Sequence, residues 1–523
     1  KTRRAKAVKL LLNLGVDPNV ATQHAVKSLH AGPSAETVVV TTMESGPNGT
    51  NITKEHHMVA ASQNRSGFVA EIWAPPVFVA VNSLINASTP EEESASLEIL
   101  NMLLEAGANI DDKCFQSDSN ALFVAVKANH KLVVKTLLDK GAQPTVRRSD
   151  GTMALHVAAL SGSEEIFKML LDHGADPNAT MAKGITIPYI AAQEGRVEIL
   201  RLVRDLGVPL FRTSVTGANS LHMAISSGST ETVQFLLDAG ADPNALVEGN
   251  SPLLIAVQAG YPEIVKLLLK LGADADFANP SEVTPLHIAI HKGNHEMIRI
   301  LTSHGAHPSK PRPDGGTPLF HAVANRDAEA IIALVEGGAD VNQPGGDGDL
   351  AIMLAAEEND TSIVTTLLEN GANPNQRRRI DGGVAIMMAV QHRNMDMIDV
   401  LLKHSADPSI QSLKGDSGLI IACTQNMTRI ALRLISAGAE LNVLASNGAS
   451  PLIGAVQFDN DILVSALIHA GADVEFANSE GLNAMIAAVK FRSQKCFNPL
   501  LRARADVNKR DADGISACRY AIL

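Results

Sequence analysis

The chain has 523 residues, 45% of them apolar and 19% charged, which excludes a disordered polyelectrolyte and describes foldable material. Its formal net charge of -12 argues against a general affinity for nucleic acid backbones, and no run of 18 apolar residues marks a transmembrane helix. Four cysteines lie far apart without a CxxC, so neither a disulfide framework nor a zinc knuckle is indicated, and a reducing, cytoplasmic setting is expected. Aromatic residues make up only 3%, so the core must be built from Leu, Ile, Val, Ala and Met.

The strongest signal is repetition. "LLDHGADPNA" (Leu170–Ala179) and "LLDAGADPNA" (Leu236–Ala245) differ at one position, and a weaker copy, "LVRDLGVPLF" (Leu202–Phe211), lies halfway between them. Marked by its glycine, the series runs Gly15, Gly107, Gly141, Gly174, Gly207, Gly240, Gly272, Gly305, Gly338, Gly371, Ser405, Gly438, Gly471 and Arg504. From Gly107 every step is 32, 33 or 34 residues. A period of that size replaces the expectation of several globular domains with one elongated array of about 14 stacked units.

In chain order, "AKAVKLLLNLGVDPN" within 1–19 reads as a second helix without its first. Segment 20–72 replaces one loop by some fifty residues. There "AETVVVTTMESGPNGTNITKEHHMV" combines a β-branched run, a Pro-Asn-Gly turn and a second extended run, so a long hairpin and a disordered linker are both open. Residues 73–110 form a second unit with an insertion, 86–96 ("NASTPEEESAS"), whose Ser, Thr, Pro and Glu content reads as a solvated loop between paired helices. Residues 111–310 hold regular units, 311–510 more degenerate ones, and 511–523 the start of a further one. The N-terminal "KTRRAKAVKL" carries no long apolar stretch, so no secretory signal is expected.

Each unit has a physical reading. Thr284 can cap a helix before Pro285, whose missing N–H costs nothing at the first helical position. Leu286, Ala289 and Ile290 then make a short apolar stripe, Gly293 breaks the chain, Ile298 and Leu301 continue the stripe in a second helix, and Gly305 ends it. Asp-Gly turns follow in "SDG" (149–151), "PDGG" (313–316) and "IDGG" (380–383). Neither helix could persist alone at this length.

These residues resemble the ankyrin repeat. "TPLHIAI" (284–290), "TPLFHAV" (317–323), "MALHVAA" (153–159) and "SLHMAI" (220–225) are similar to the family's first helix. "VKLLLKLGADAD" (265–276) and "VQFLLDAGADPN" (233–244) are similar to its second helix and turn. The resemblance implies an all-α repeat solenoid of helix-turn-helix pairs, with β-hairpin-like fingers along one side and a contour on the order of 130 Å. It also implies that the imidazole at His287 serves structural hydrogen bonds.

Some positions depart from that pattern. The turn between paired helices is glycine at 162, 195, 228, 260 and 293, with Asn129 tolerated. Downstream it becomes Arg326, Asn359, Arg393, Asn426, Asp459 and Arg492, and "TPLH" decays to "LAIM" (350–353), "VAIM" (384–387) and "LNAM" (482–485). If these turns stay left-handed, each Arg costs about 1 kcal/mol relative to glycine, so the C-terminal half is expected to be the less stable. Ordinary drift and a half tuned to yield or bind both remain open.

The sequence carries no recognisable catalytic motif. No phosphate loop is present, and the closest metal-like spacing, His287, His291, His295, His304 and His307, straddles the turn at Gly293 and lacks HExxH, so no zinc site is expected. No carboxylate pair converges, and neither a catalytic site nor a cofactor is expected. The finger tips hold Arg147, Arg148, Lys183, Arg312, Arg377, Arg378, Arg379, Lys414 and Arg510. They read either as a solvated face or as a discontinuous basic ridge for an acidic protein partner, with the triple Arg as its best anchor. The function expected is a non-enzymatic protein–protein interaction scaffold or adaptor, binding through finger tips and the concave face. The incomplete terminal units leave open a regulatory or tethering arm of a larger channel or modifying enzyme, or a structural subunit of a cytoskeletal or other assembly.

Overall fold

The computed structural model describes residues 74–522 except 115, 116, 313, 314 and 347; within the first 73 it describes Lys9, Leu12, Pro18, Asn19 and three strands. The strands are Leu29–Ala31, Thr37–Ser45 and Asn51–Val59, paired antiparallel in that order with Leu29 opposite Val40 and Thr37 opposite Val59. Outside them, the described residues form helices joined by turns and isolated bridges. Gly15 lies outside the described residues.

The chain divides into two compact units, 1–255 and 256–523, each a stack of helix pairs. In the first unit, the pairs Ala121–Lys127 with Lys131–Asp139, Ala154–Ser161 with Glu164–Asp172, Ile187–Gln193 with Val197–Asp205, and Ser220–Ser227 with Thr230–Asp238 follow one another. In the second, pairs such as Pro285–His291 with His295–Ser303 and Ala385–Gln391 with Met395–Lys403 repeat the arrangement.

Two rows of side chains make the seam. From Gly141 onward, the second-helix residue four places before each repeat's marker is fully buried: Leu137, Leu170, Val203 and Leu236 in the first unit, and Leu268, Leu301, Leu334, Leu367, Leu401, Leu434, Leu467 and Leu500 in the second. Up to Ala484–Lys490, each first helix carries a buried alanine at its fifth position, such as Ala158, Ala191 and Ala224, or Ala289, Ala322 and Ala355, where successive first helices approach. A larger side chain there would overpack the seam.

Helix starts follow capping chemistry. Thr284, Thr317, Ser417 and Ser450 accept a backbone N–H three residues on, and Pro285, Pro318 and Pro451 follow three of them. Where the motif decays, Leu350 and Val384 cap nothing with their side chains; they are buried instead. Burial thus offsets part of the roughly 1 kcal/mol a lost cap costs.

Of residues 86–96 only 86–89 form a connecting loop; 90–96 are helical, against what their composition suggests. Thr89 accepts the Glu92 N–H at 3.2 Å, Pro90 opens a helix running to Glu105, and Glu91, Glu92 and Glu93 occupy its first turn, where carboxylates oppose the positive helix end. Ala95 and Ser96 are already buried. The Thr-Pro-Glu-Glu-Glu run is a helix start, and Ser and Pro content alone concealed it.

The variation in period lies in the fingers. In most repeats the finger closes across four residues, as from the Arg148 N–H to the Thr152 carbonyl at 2.8 Å. The step from Gly240 to Gly272 is 32 residues, and there Val247 and Asn250 close a tighter finger. The steps from Gly107 to Gly141 and from Gly371 to Ser405 are 34 residues, and there the wider closures Cys114–Ser119 and Arg378–Gly383 take up the extra residue.

Candidate partner-binding fingers

Each finger is a tight hairpin whose left-handed residue is usually glycine, as at Gly151 (φ 81°) and Gly415 (φ 75°). Adjacent tips are joined through their backbones. In the first unit, the Ala182 N–H donates to the Asp150 carbonyl at 2.9 Å and the Val215 N–H to that of Lys183 at 3.0 Å. In the second, Leu413 donates to Asp381 at 2.8 Å, Ser446 to Lys414 at 2.7 Å and Ala512 to Glu480 at 2.9 Å. A second ladder runs below: Asp111 accepts the Gln143 N–H at 3.0 Å, Asp276 that of His307 at 2.9 Å, and Asn375 that of Asp407 at 2.7 Å. Neighbouring fingers are therefore bonded to one another at these tips, and below them by side-chain oxygens that accept the next repeat's backbone N–H.

The nine basic residues singled out from sequence separate into two kinds. Arg148, Arg312 and Arg378 share one register, the first residue of the closure, and are half-buried. Arg148 stacks 5.1 Å from the Phe123 ring centroid and lies 3.8 Å from Asp150. Arg378 has only 13% of its side chain exposed. Its Nε and Nη2 donate to Asp381 at 3.2 and 3.0 Å, and its Nη1 donates to Glu357 on the preceding first helix. Burial opposes ionisation of Asp381, yet the Gly383 N–H and Arg378 outweigh it and hold that carboxyl below the usual range. The middle arginine of the triple thus pins its own finger.

The others, Arg147, Lys183, Arg377, Arg379, Lys414 and Arg510, are exposed. Arg147 reaches the next finger, donating to the Thr180 carbonyl at 3.3 Å. Arg377, Arg379 and Lys414 gather on two adjacent fingers, whereas Arg510 stands among Glu480, Asp511 and Asp513. The basic residues therefore form local clusters instead of an unbroken row.

Sequence reasoning overlooked exposed apolar side chains on the same tips: Val215 beside Lys183, and Ile380 and Leu413 beside the arginines. The signal was present in "IDGG", where an isoleucine occupies a turn position that ordinarily holds a polar residue.

The histidines disperse into structural roles. The Thr284 hydroxyl and His287 Nδ1 are 2.8 Å apart, and the His287 ring meets His321 edge-on at 5.7 Å between centroids. His295 Nε2 lies 2.9 Å from Asp327, and His304 Nδ1 donates to the Ile300 carbonyl at 2.8 Å. Among the described residues no three His, Cys, Asp or Glu side chains are placed to hold a metal. Among the same residues no helix is long and apolar enough to cross a membrane.

Comparison with known proteins accounts for the period. The family model for ankyrin repeats in three copies matches residues 85–181, 253–345, 352–445 and 419–511, and that for ankyrin repeats in many copies matches 221–269. Together they cover well over half of the chain, which belongs to the ankyrin-repeat family and has an all-α repeat solenoid fold. The crystal structure of the human ASB11 ankyrin repeat domain is similar at 28% identity, covering 42% of this chain and 98% of that one, with a TM-score of 0.37. No curated protein matches the sequence. Ankyrin repeats are generally protein–protein interaction modules, and their fold is typically non-catalytic.

Proposed function

We propose that this chain is a non-enzymatic scaffold or adaptor that holds acidic protein partners on its finger tips and first-helix face, in a cytoplasmic, reducing setting. The observation that carries the reading is the set of exposed cations, Arg147, Lys183, Arg377, Arg379 and Lys414, on tips fixed to one another by backbone bonds. A tip ordered before binding loses little freedom when a partner arrives, so its contacts are spent on affinity. The overall charge of -12 supports it too, because repulsion elsewhere directs an acidic partner to the few basic clusters. Unpaired Cys114, Cys423, Cys496 and Cys518 fit a reducing compartment.

The test is site-specific photocrosslinking in cells, with a photoreactive residue replacing Lys183 or Lys414 on the tips, or Lys168 on a second helix. Discrete protein adducts from the tip positions and none from Lys168 are expected. Adducts from Lys168 alone, or from none of the three, would overturn the reading.

A further inference from the structure

Among the described residues only four large apolar side chains are more than 70% exposed: Val215 (74%), Ile380 (77%), Leu413 (72%) and Ile522 (86%). Two of them stand on neighbouring fingers, held together by the 2.8 Å bond from the Leu413 N–H to the Asp381 carbonyl. Ile380 lies within the finger that carries the extra residue, closed by Arg378 and Gly383. Gly382 (φ 70°) lets the two tips approach, because a Cβ there would come within 3.1 Å of Leu413 Cγ. Exposed Arg379 and Arg377 lie one and three residues before Ile380, and Lys414 follows Leu413.

The carboxylates that could neutralise this patch are engaged below it. Asp381 and Glu357 are bound to Arg378, and Asp349 lies 4.0 Å from the same guanidinium. Among the described residues no carboxylate pairs with Arg377, Arg379 or Lys414. The patch therefore presents an apolar centre with a cationic rim, standing on a rigid, bonded base.

We propose that these two tips form a docking site for an extended acidic segment of a partner protein, which lays an apolar side chain on Ile380 and Leu413 while its carboxylates meet Arg377, Arg379 and Lys414. This deepens the scaffold reading and rests on it. The apolar pair sets this occupant apart from a phosphate backbone, which would use the cations and leave Ile380 and Leu413 wet. Arginine's planar fork suits a carboxylate in two-point contact, and an aliphatic centre inside a charged rim is the arrangement in which most of an interface's energy is concentrated.

The experiment uses the full chain and a fluorescein-labelled Glu-rich peptide with a central Leu–Leu pair, followed by anisotropy. Two control peptides replace Leu by Ser, or Glu by Lys. The Glu/Leu peptide is expected to bind the full chain, more weakly as salt rises. Ile380→Ser with Leu413→Ser weakens that binding by at least about tenfold, and Arg377→Glu with Arg379→Glu and Lys414→Glu abolishes it. Both control peptides bind at least about tenfold more weakly. All five residues are exposed, so unchanged thermal unfolding shows that the variants fold. Equal binding of the Ser peptide, or binding untouched by either variant, would overturn this site, whereas loss of the tip crosslinks at Lys183 and Lys414 would remove the broader reading. Sedimentation showing a dimer of the unliganded chain that the Ile380/Leu413 variant dissolves would assign the patch to a second copy and also overturn the proposal.

Discussion

The side-chain amide of Asn394 donates to the side-chain oxygen of Asn359, 35 residues earlier, at 2.8 Å, and to the Thr361 hydroxyl at 2.9 Å. Asn394 caps its own helix by accepting the Met397 N–H at 3.0 Å, and Asn359 stands at φ 56° in the turn of the preceding pair. The same device recurs where Asn460 reaches Asn426 and Thr428, both at 2.7 Å. Asp459 (φ 52°) accepts the Lys495 N–H at 2.8 Å, and Arg326 (φ 55°) lies 3.5 Å from Glu358 and 3.7 Å from Asp360. At Arg326, Asn359, Asn426 and Asp459 a strained left-handed residue thus uses its side chain to bind the next repeat.

It follows that these turns are not equally weak. Arg393 (φ 58°) and Arg492 (φ 60°) are exposed and make no side-chain bond among the described residues. Arg393→Gly should stabilise the chain by about 0.5–1 kcal/mol, since relief of left-handed strain exceeds the entropy that glycine adds to the unfolded chain. Asn359→Gly should fall within about 0.5 kcal/mol of zero, because the lost bond offsets the relieved strain. Urea denaturation measures both, and a large gain at Asn359 would contradict the linking role.

Asn394→Ala removes a helix cap and the link to Asn359 together. It should cost about 1–2 kcal/mol. Amide exchange should rise first in Met395–Lys403 and in the turn at Asn359, and protection left intact at that turn would show the link to be dispensable.

Acid sensitivity should trace to His156. Its Nδ1 accepts the Met153 N–H at 3.2 Å and its Nε2–H donates to the Ala179 carbonyl at 3.3 Å, which fixes a neutral ring. Burial pushes its pKa down from the usual 6.5 to about 4. Below 6.5 the unfolded chain takes up a proton that the folded one refuses. The contribution is therefore complete above 6.5 and is lost as pH falls toward 4, by about 3 kcal/mol in all. His222 is shifted in the same direction, first by burial. Unfolding midpoints followed from pH 7 to 4 should fall steeply in the native chain and less steeply in His156→Gln; parallel profiles would exclude His156 as the source.

The arginine triple should divide by function. Arg378→Met leaves Asp381 and Glu357 without their cation, and a loss of about 1–2 kcal/mol is expected for a pair this little exposed. Arg377→Ser and Arg379→Ser should leave stability within about 0.5 kcal/mol. Thermal unfolding of the three single variants decides it: equal shifts would contradict the distinction between pinning and presenting residues.

How far the sequence was legible depends on what each residue answers to. Glycine spacing and buried Leu and Ala rows are local, periodic requirements, so the array and its helix pairs could be read from Gly107 to Arg504. Thr89 and Pro90 could have been read as a helix start, but their Ser-rich and Glu-rich surroundings resemble a loop in composition. The candidate site was half legible. Arg377, Arg378 and Arg379 look alike in a string, and only the position of Glu357, on a helix more than twenty residues upstream, tells which one turns inward. The exposure of Ile380 and Leu413 likewise depends on a bond between two fingers, which no single repeat encodes.

The tight and wide closures at Val247–Asn250 and Arg378–Gly383 leave the buried Leu row undisturbed on either side. Gains and losses of single residues are absorbed at the outermost bend, so mutation can reshape what a repeat displays without shifting the register of its neighbours. An architecture of this kind separates heritable change in recognition from the demands of folding, and new binding specificities can arise on it one bend at a time.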